Sequence, residues 1–225
     1  MDFSNRKIVK TADGSNTLKL NDVDENFHSC NGAITESMHI FINNGLLHIA
    51  NLKNDIRILE VGFGTGLNAL LTIIKAKELN LKVYYLGYEA FPLNEHEYKS
   101  LNYYDIIGNN SSQYFYTMHE CEFDKDFMIA DNFSFCKKKE KIEEAHLPKD
   151  YFDIIYFDAF APDIQPELWS IEIFQKISNS LKSNGMLITY SAKGEVRRNL
   201  KNADFIIEKL PGPPGKREIT RAVKR

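Results

Sequence analysis

The chain has 225 residues, 43% of them hydrophobic and 26% charged, which suits one domain with a sizeable core. Its longest apolar runs, such as Ala69–Ile74, are far too short to span a membrane, and the polar start Met1–Lys7 carries no secretory signal. A net charge of −3 argues against strong nonspecific nucleic-acid binding by the whole surface.

Cys30, Cys121 and Cys136 are far apart and form no C-x-x-C pair, so reduced thiols and a cytoplasmic setting are expected. Charge is unevenly spread. Lys193–Arg225 holds ten Lys or Arg against four Asp or Glu, an excess of six positive charges that leaves −9 for the rest of a chain of net −3. That segment could dock an anionic partner, or it could be an ordinary solvated surface.

In chain order, Lys7–Leu20 reads as a β-hairpin around Asp13-Gly14. Ala33–Ile42 reads as an amphipathic helix ended by Asn43-Asn44-Gly45. Residues 1–50 are expected to form an extension packed on a main domain of residues 51–225. From Ile56 strands and helices alternate: strand Ile56–Val61, helix Leu67–Leu79, strand Lys82–Tyr88, helix Leu93–Leu101. Ser112–Met118 reads as a strand or edge segment, and Phe127–Ala130 as a short strand.

Phe152–Phe157 is continuously apolar, as a strand covered on both faces should be. Helix Ile171–Leu181, closed by Ser183-Asn184-Gly185, then strand Met186–Tyr190 and helix Val196–Asn202 follow. Phe205–Leu210 and Ile219–Val223 flank Pro211–Gly215 as an antiparallel hairpin. This alternation predicts an α/β fold with a doubly wound, mostly parallel sheet.

Ligands of such sheets bind beyond the carboxyl ends of the strands. The first strand runs into Glu60-Val61-Gly62-Phe63-Gly64-Thr65-Gly66, followed by Leu67-Asn68 at a helix start. Glycines let the backbone lie against a ligand, and the helix start offers free N–H groups to an anion. The spacing is G-x-G-x-G and not the G-x-G-x-x-G of dinucleotide binders, which points to S-adenosylmethionine.

Glu89, at the second strand end, suits a pair of ribose hydroxyls. Asp131, after Met128-Ile129-Ala130, reads either as an acceptor for the adenine amino group or as a surface turn acid. Asp158 closes the Phe152–Phe157 strand, where an unpaired buried carboxylate is costly unless it meets a polar partner or ligand. Glu60 reads either as a ligand contact or as a buried acid orienting the loop. The six histidines lack zinc spacing, so no metal is expected, and Trp169 reads as a packing residue.

The segments Glu60–Asn68, Glu89–Leu93, Asp158–Pro162, Tyr190–Ala192 with Val196–Arg198, and Gly212–Glu218 together resemble the MnmC/MnmD-like transfer-RNA methyltransferases from about Asp13 to Val223. Phe27-His28-Ser29 and Thr35-Glu36-Ser37 lie where that family has a cofactor-covering segment; Phe27 stands where a tyrosine is more frequent, and Asp158-Ala159 replaces a more frequent Asp-Gly. The resemblance implies a class I methyltransferase using S-adenosylmethionine to N-methylate 5-aminomethyl-2-thiouridine at the wobble position of transfer RNA.

It also implies a stand-alone methyltransferase without the fused flavin-dependent oxidase, so that a separate oxidase would act upstream. The cofactor set would be Glu60, Gly62, Phe63, Gly64, Thr65, Gly66, Asn68, Glu89, Ala90, Asp131 and Asp158, with Asp158 catalytic. Phe160 and Pro162 would shape the base pocket. Lys193, Arg197, Arg198, Lys216 and Arg217 would meet phosphates of the anticodon arm. The competing readings are a methyltransferase or aminopropyltransferase-like enzyme for a small amine, and a non-catalytic binding module.

Overall fold

The computed structural model describes residues 3, 5–108 and 110–225. Met1, Asp2 and Ser4 lie outside the described residues, and with them part of the polar start read above. Strands β1 (Arg6–Lys10) and β2 (Asn16–Leu20) form a separate two-stranded antiparallel sheet. Asp13 organises the turn between them. Its Oδ1 accepts from Thr11 Oγ1 at 2.8 Å and from Ser15 N at 3.1 Å. Its Oδ2 accepts from Thr35 N at 2.9 Å, at the start of helix α1 (Ala33–Ser37).

The helix expected to end at Ile42 continues. After α1 the chain widens into π-helical turns over Met38–Leu46, then narrows to α2 (Leu47–Ala50). The breakers Asn43-Asn44-Gly45 sit inside this wide stretch, where Asn44 Nδ2 donates to His39 O at 2.7 Å. Gly45 lets the helix lie on the sheet: a Cβ there would meet Ile154, Ile188 and Tyr156 at 3.2–3.4 Å. Its helix-propensity cost of about 1 kcal/mol is offset by that packing.

The main body follows as β3 (Asp55–Val61), α3 (Leu67–Glu78), β4 (Lys82–Tyr88), α4 (Glu95–Lys99), α5 (Tyr103–Ile107) and α6 (Ser111–Glu120). Then come β5 (Phe127–Ala130), β6 (Phe133–Lys138), β7 (Phe152–Phe157), α7 (Ile171–Ser180), β8 (Leu181–Thr189), α8 (Gly194–Asn202), β9 (Phe205–Pro211) and β10 (Glu218–Lys224). The strand order is β5-β6-β4-β3-β7-β8-β10-β9. Strands β6, β4, β3, β7 and β8 are parallel; β5, β10 and β9 run antiparallel to their neighbours. After β3 the chain moves outward to β4 and β6, then returns to β7 on the other side of β3. The tips of β3, β4 and β7 therefore frame a switch point, where such sheets take ligands.

Three expectations need correcting. Ser112–Met118 is helical: Ser111, Phe115 and Met118 are its buried residues, a helical spacing hidden by β-prone aromatics. The third parallel strand is β6, not Phe127–Ala130, which is an antiparallel edge paired to it. Ser183-Asn184-Gly185 lies within β8, at a register shift against β7, and not in a turn before the strand.

Alternate residues of the central strands feed two cores, one on each face of the sheet. Ile58, Tyr85 and Ile154 face one, and Leu59, Leu86 and Ile155 the other. The N-terminal segment shares the first core through Leu18, Phe41, Ile42 and Leu46. None of the helices among the described residues is long and apolar enough to cross a membrane.

Candidate active site

A cavity of about 350 Å³ opens at the tips of β3, β4 and β7. Its floor is the glycine loop. Gly62 N and Phe63 N both donate to Tyr88 O at 3.0 Å, tying the loop to the end of β4. Gly62 has φ +88°, and a Cβ on it would lie 2.6 Å from Asp158 O, so only glycine lets the loops after β3 and β7 meet. Gly66, with φ +74°, starts α3 and lies off the cavity wall.

Glu89 is fixed by two backbone donors. Its Oε2 accepts from Gly64 N and its Oε1 from Phe91 N, each at 2.8 Å. Each oxygen keeps a free lone pair on the cavity wall, the arrangement needed to receive a diol. Thr65 and Asn68 line the same wall, with Thr65 Oγ1 turned toward the buried Tyr103 hydroxyl. A glycine cradle beside a carboxylate pinned at the cavity wall fits a nucleoside cofactor that carries a diol.

Asp158 stands half-buried at the tip of β7, its backbone N donating to Val61 O at 2.9 Å. Asn68 Nδ2 donates to Asp158 Oδ2 at 2.8 Å and to Glu60 Oε1 at 2.9 Å. Burial, helped by the negative charge of Glu36, pushes Asp158 up to about 7; the Asn68 bond and Lys216 oppose this. Glu60 is fully buried, and desolvation holds its carboxyl well above the usual range. It stands behind the cavity wall and not on it, so the reading of Glu60 as an acid orienting the loop is the one that fits the geometry.

Asp131 does not reach the site. It is exposed in the turn joining β5 to β6, at the end of β6 opposite the cavity. The carboxyl end of β6 instead leads to Glu140–Glu143, which line the cavity. Gly62, Phe63, Gly64, Thr65, Asn68, Glu89, Ala90 and Phe160 all line it as expected, and Pro162 does not.

Phe27, His28, Ser29 and Glu36 line the cavity, where the resemblance puts a cofactor-covering segment; Phe3 and Arg6 were not singled out from sequence. Phe3 stacks on Phe91 at 4.8 Å and on Phe160 at 5.6 Å between ring centroids, and Phe27 meets Phe160 edge-on at 4.9 Å. Arg6 ties this cover to the loop after β4, donating to Phe91 O at 2.5 Å and Glu97 Oε2 at 3.1 Å. His28 lines the cavity too, bonded through Nδ1 to Thr17 Oγ1 at 2.8 Å and driven down to about 4 by burial. It is neutral near pH 7. Trp169 packs on Phe157 and Phe174 and donates to Phe160 O at 2.9 Å, a structural role as expected.

Glu36 belongs to the covering segment that the resemblance implies, but its pairing with Lys216 was not foreseen. It is 7% exposed, and its Oε2 accepts from Ser29 N at 2.7 Å. Its Oε1 lies 2.6 Å from Lys216 Nζ. Lys216 therefore faces the cavity, not RNA phosphate, and its ammonium sits 4.2 Å from the centre of the Tyr190 ring. Arg197 is likewise no phosphate contact. It is buried and spent on Thr220 Oγ1, Glu218 and Ile219 O at 2.8–3.1 Å, fastening α8 to β10. Lys193 pairs with Asp163 at 2.5 Å; Arg198 and Arg217 are exposed. The cavity wall as a whole carries eight carboxylates against two lysines.

The family model described as S-adenosyl-L-methionine-dependent methyltransferase matches residues 105–225. This chain belongs to that family. The expected resemblance to the MnmC/MnmD-like group is borne out as well. The chain is 30% identical over 220 residues to the tRNA 5-methylaminomethyl-2-thiouridine biosynthesis bifunctional protein MnmC of Leptospira interrogans, covering 87% of this chain and 32% of that protein. It is 27% identical to an uncharacterized protein of Methanocaldococcus jannaschii, covering 96% of this chain and 59% of that one. The crystal structure of MnmC2 from Aquifex aeolicus superposes with a TM-score of 0.76 at 27% identity, over 98% of this chain and 71% of that one. The chain thus spans between about a third and three fifths of the curated relatives named here. The class I α/β methyltransferase fold and S-adenosylmethionine as cofactor follow from these matches and from the strand order.

Proposed function

We propose that this methyltransferase transfers a methyl group to the primary amine of a 5-aminomethyl-2-thiouridine in transfer RNA. The observation that carries the reading is Asp158: a carboxylate at the tip of β7, held toward Val61 and Asn68 beside the glycine cradle, in a cavity rich in negative charge. Glu89, Thr65 and Asn68 would hold the cofactor, which when bound supplies an electrophilic methyl on a positively charged sulfur. Both that sulfur and an incoming ammonium suit a wall of carboxylates. The relationship to the MnmC protein of Leptospira interrogans supports a wobble-uridine amine as acceptor.

Asp158 receives the ammonium, takes one proton, and leaves a neutral nitrogen whose lone pair is aimed by the remaining hydrogen bond. Phe160 and the aromatic cover around it would exclude water from that proton transfer and stack the flipped base. Arg198 and Arg217, both exposed, would place the RNA through its phosphates.

The surplus of carboxylates on the wall also favours a second reading, a free cationic amine as acceptor. Incubation with methyl-labelled S-adenosylmethionine and transfer RNA bearing the 5-aminomethyl group separates the two. Label in RNA is expected; label confined to small amines would replace the first reading by the second.

A further inference from the structure

Glu36 is a buried carboxylate on the cavity wall that the expected site does not use. One oxygen is committed to Ser29 N. The other, Oε1, is buried and pairs with Lys216 Nζ at 2.6 Å. The lysine ammonium is held in place by the Tyr190 ring beneath it, and Tyr190 OH donates at 2.8 Å to Ala159 O, the carbonyl next to Asp158. Glu36, Lys216, Tyr190 and Asp158 therefore close one corner of the cavity. That corner lies toward β8 and β10, on the far side of β7 from Glu89. A diol held at Glu89 leaves it free.

We propose that Glu36 and Asp158 form a two-carboxylate seat for the acceptor's ammonium, and that Lys216 is a built-in primary ammonium which the acceptor displaces from Glu36. The inference rests on the reading of the acceptor as a cationic amine, whichever molecule carries it. Three features give it chemical sense. A buried carboxylate needs a cationic partner, and an arriving ammonium can replace Lys216 with three N–H donors of its own. The occupant of the seat in the free protein is itself a primary alkylammonium. The displaced lysine would swing toward solvent at the mouth, where the phosphate of a bound nucleotide would meet it. No bond is made or broken in this step; one ammonium exchanges for another on the same carboxylate.

The test is calorimetric titration of n-butylammonium into the full-length protein saturated with S-adenosylhomocysteine. Wild type is compared with Glu36→Gln and Lys216→Met. The Glu36→Gln side chain keeps an oxygen for Ser29 N, and the Lys216 substitution removes the competitor, so the two changes should act in opposite directions. Glu36→Gln should weaken butylammonium by at least roughly tenfold, and Lys216→Met should tighten it. The affinity for S-adenosylhomocysteine should stay within about twofold in both.

Equal butylammonium affinity in wild type and Glu36→Gln overturns the proposal. So does a selective loss of S-adenosylhomocysteine binding, which would make Glu36 the seat of the cofactor's own amino group. Absence of butylammonium binding in both wild type and Lys216→Met overturns it too. If butylammonium binds with the expected dependence on Glu36 while aminomethyl transfer RNA is not methylated, the seat stands and the RNA reading falls.

Discussion

Asn68 Nδ2 lies 2.8 Å from Asp158 Oδ2 and donates to it, while the same amide nitrogen holds Glu60 at 2.9 Å. One side chain from the first turn of α3 thus fixes a catalytic candidate on β7 and a buried acid on β3. Asp158→Asn keeps the size and the Val61 backbone bond but cannot take a proton. Turnover should fall by about 10²–10⁴-fold, the usual span for a lost general base. Binding of S-adenosylhomocysteine by calorimetry should change little, and unaltered turnover would remove Asp158 from the chemistry.

The pH profile should carry the same residue's signature. Asp158 is pushed up to about 7 by burial first and by Glu36 second, with Asn68 and Lys216 pulling it down. Only its ionised form accepts a proton, so activity should be lost below about 7 and rise through that value. Glu36→Gln removes a negative neighbour and should move the midpoint to lower pH. Lys216→Met removes a positive one and should move it higher. Rate–pH curves at saturating cofactor check both directions.

Asp13 should govern stability at the acid end. Burial alone would raise its carboxyl, but hydrogen bonds from Ser15, Thr35 and Thr11 outweigh it and lower it from the ordinary 3.8 to about 2. A folded value below the unfolded one contributes stability that is complete above 3.8 and lost as pH falls through 2. Asp13→Ala should cost about 1–3 kcal/mol near neutral pH, where it removes a turn and the bonds to Thr35. The difference between variant and wild type in denaturant unfolding should shrink toward pH 2.

The parts of this site that can be read without coordinates are those set by neighbours in sequence. The loop Gly62–Gly66 follows β3 at once, and Glu89 and Asp158 each end an apolar run, so strand tip and functional group are one local pattern. What stays hidden depends on distant partners. Strand β6 ends in Lys137-Lys138, which looks solvated. Yet Lys137 is buried, because its ammonium donates to His119 O and lies 4.5 Å from the centre of the Phe123 ring. Missing β6 is what misplaced Asp131. Glu36 and Lys216 are 180 positions apart, and only the docking of the Pro211–Gly215 loop on the N-terminal segment, where Asn31 Nδ2 donates to Pro214 O at 3.3 Å, brings them together.

Glu89 should separate cofactor affinity from turnover. Its two oxygens organise Gly64 and Phe91, and their free lone pairs face the cavity. Glu89→Ala frees both N–H groups and deletes the diol acceptor. Affinity for S-adenosylhomocysteine should drop by at least about tenfold, since a single hydrogen bond to a charged group is worth about 1.5–3 kcal/mol. Turnover at saturating cofactor should fall far less than in Asp158→Asn. A variant with unchanged affinity would place the ribose elsewhere.

Two adjacent arginines on α8 should behave oppositely. Arg197 is buried, with all its bonds to β10, so Arg197→Ala leaves Glu218 and Thr220 without their donor. The melting temperature should fall by roughly 5–10 °C. Arg198 is exposed and, among the described residues, pairs with no acid. Arg198→Ala should leave melting within about 1 °C, because surface changes cost little. If RNA crosses this face, the same change should lower the slope of log affinity against log salt by about 1. Arg217→Ala should add a similar decrement. An unchanged slope in the Arg198–Arg217 double variant would move the RNA path off the β8–β10 side of the cavity, while leaving the cofactor and amine sites as they are.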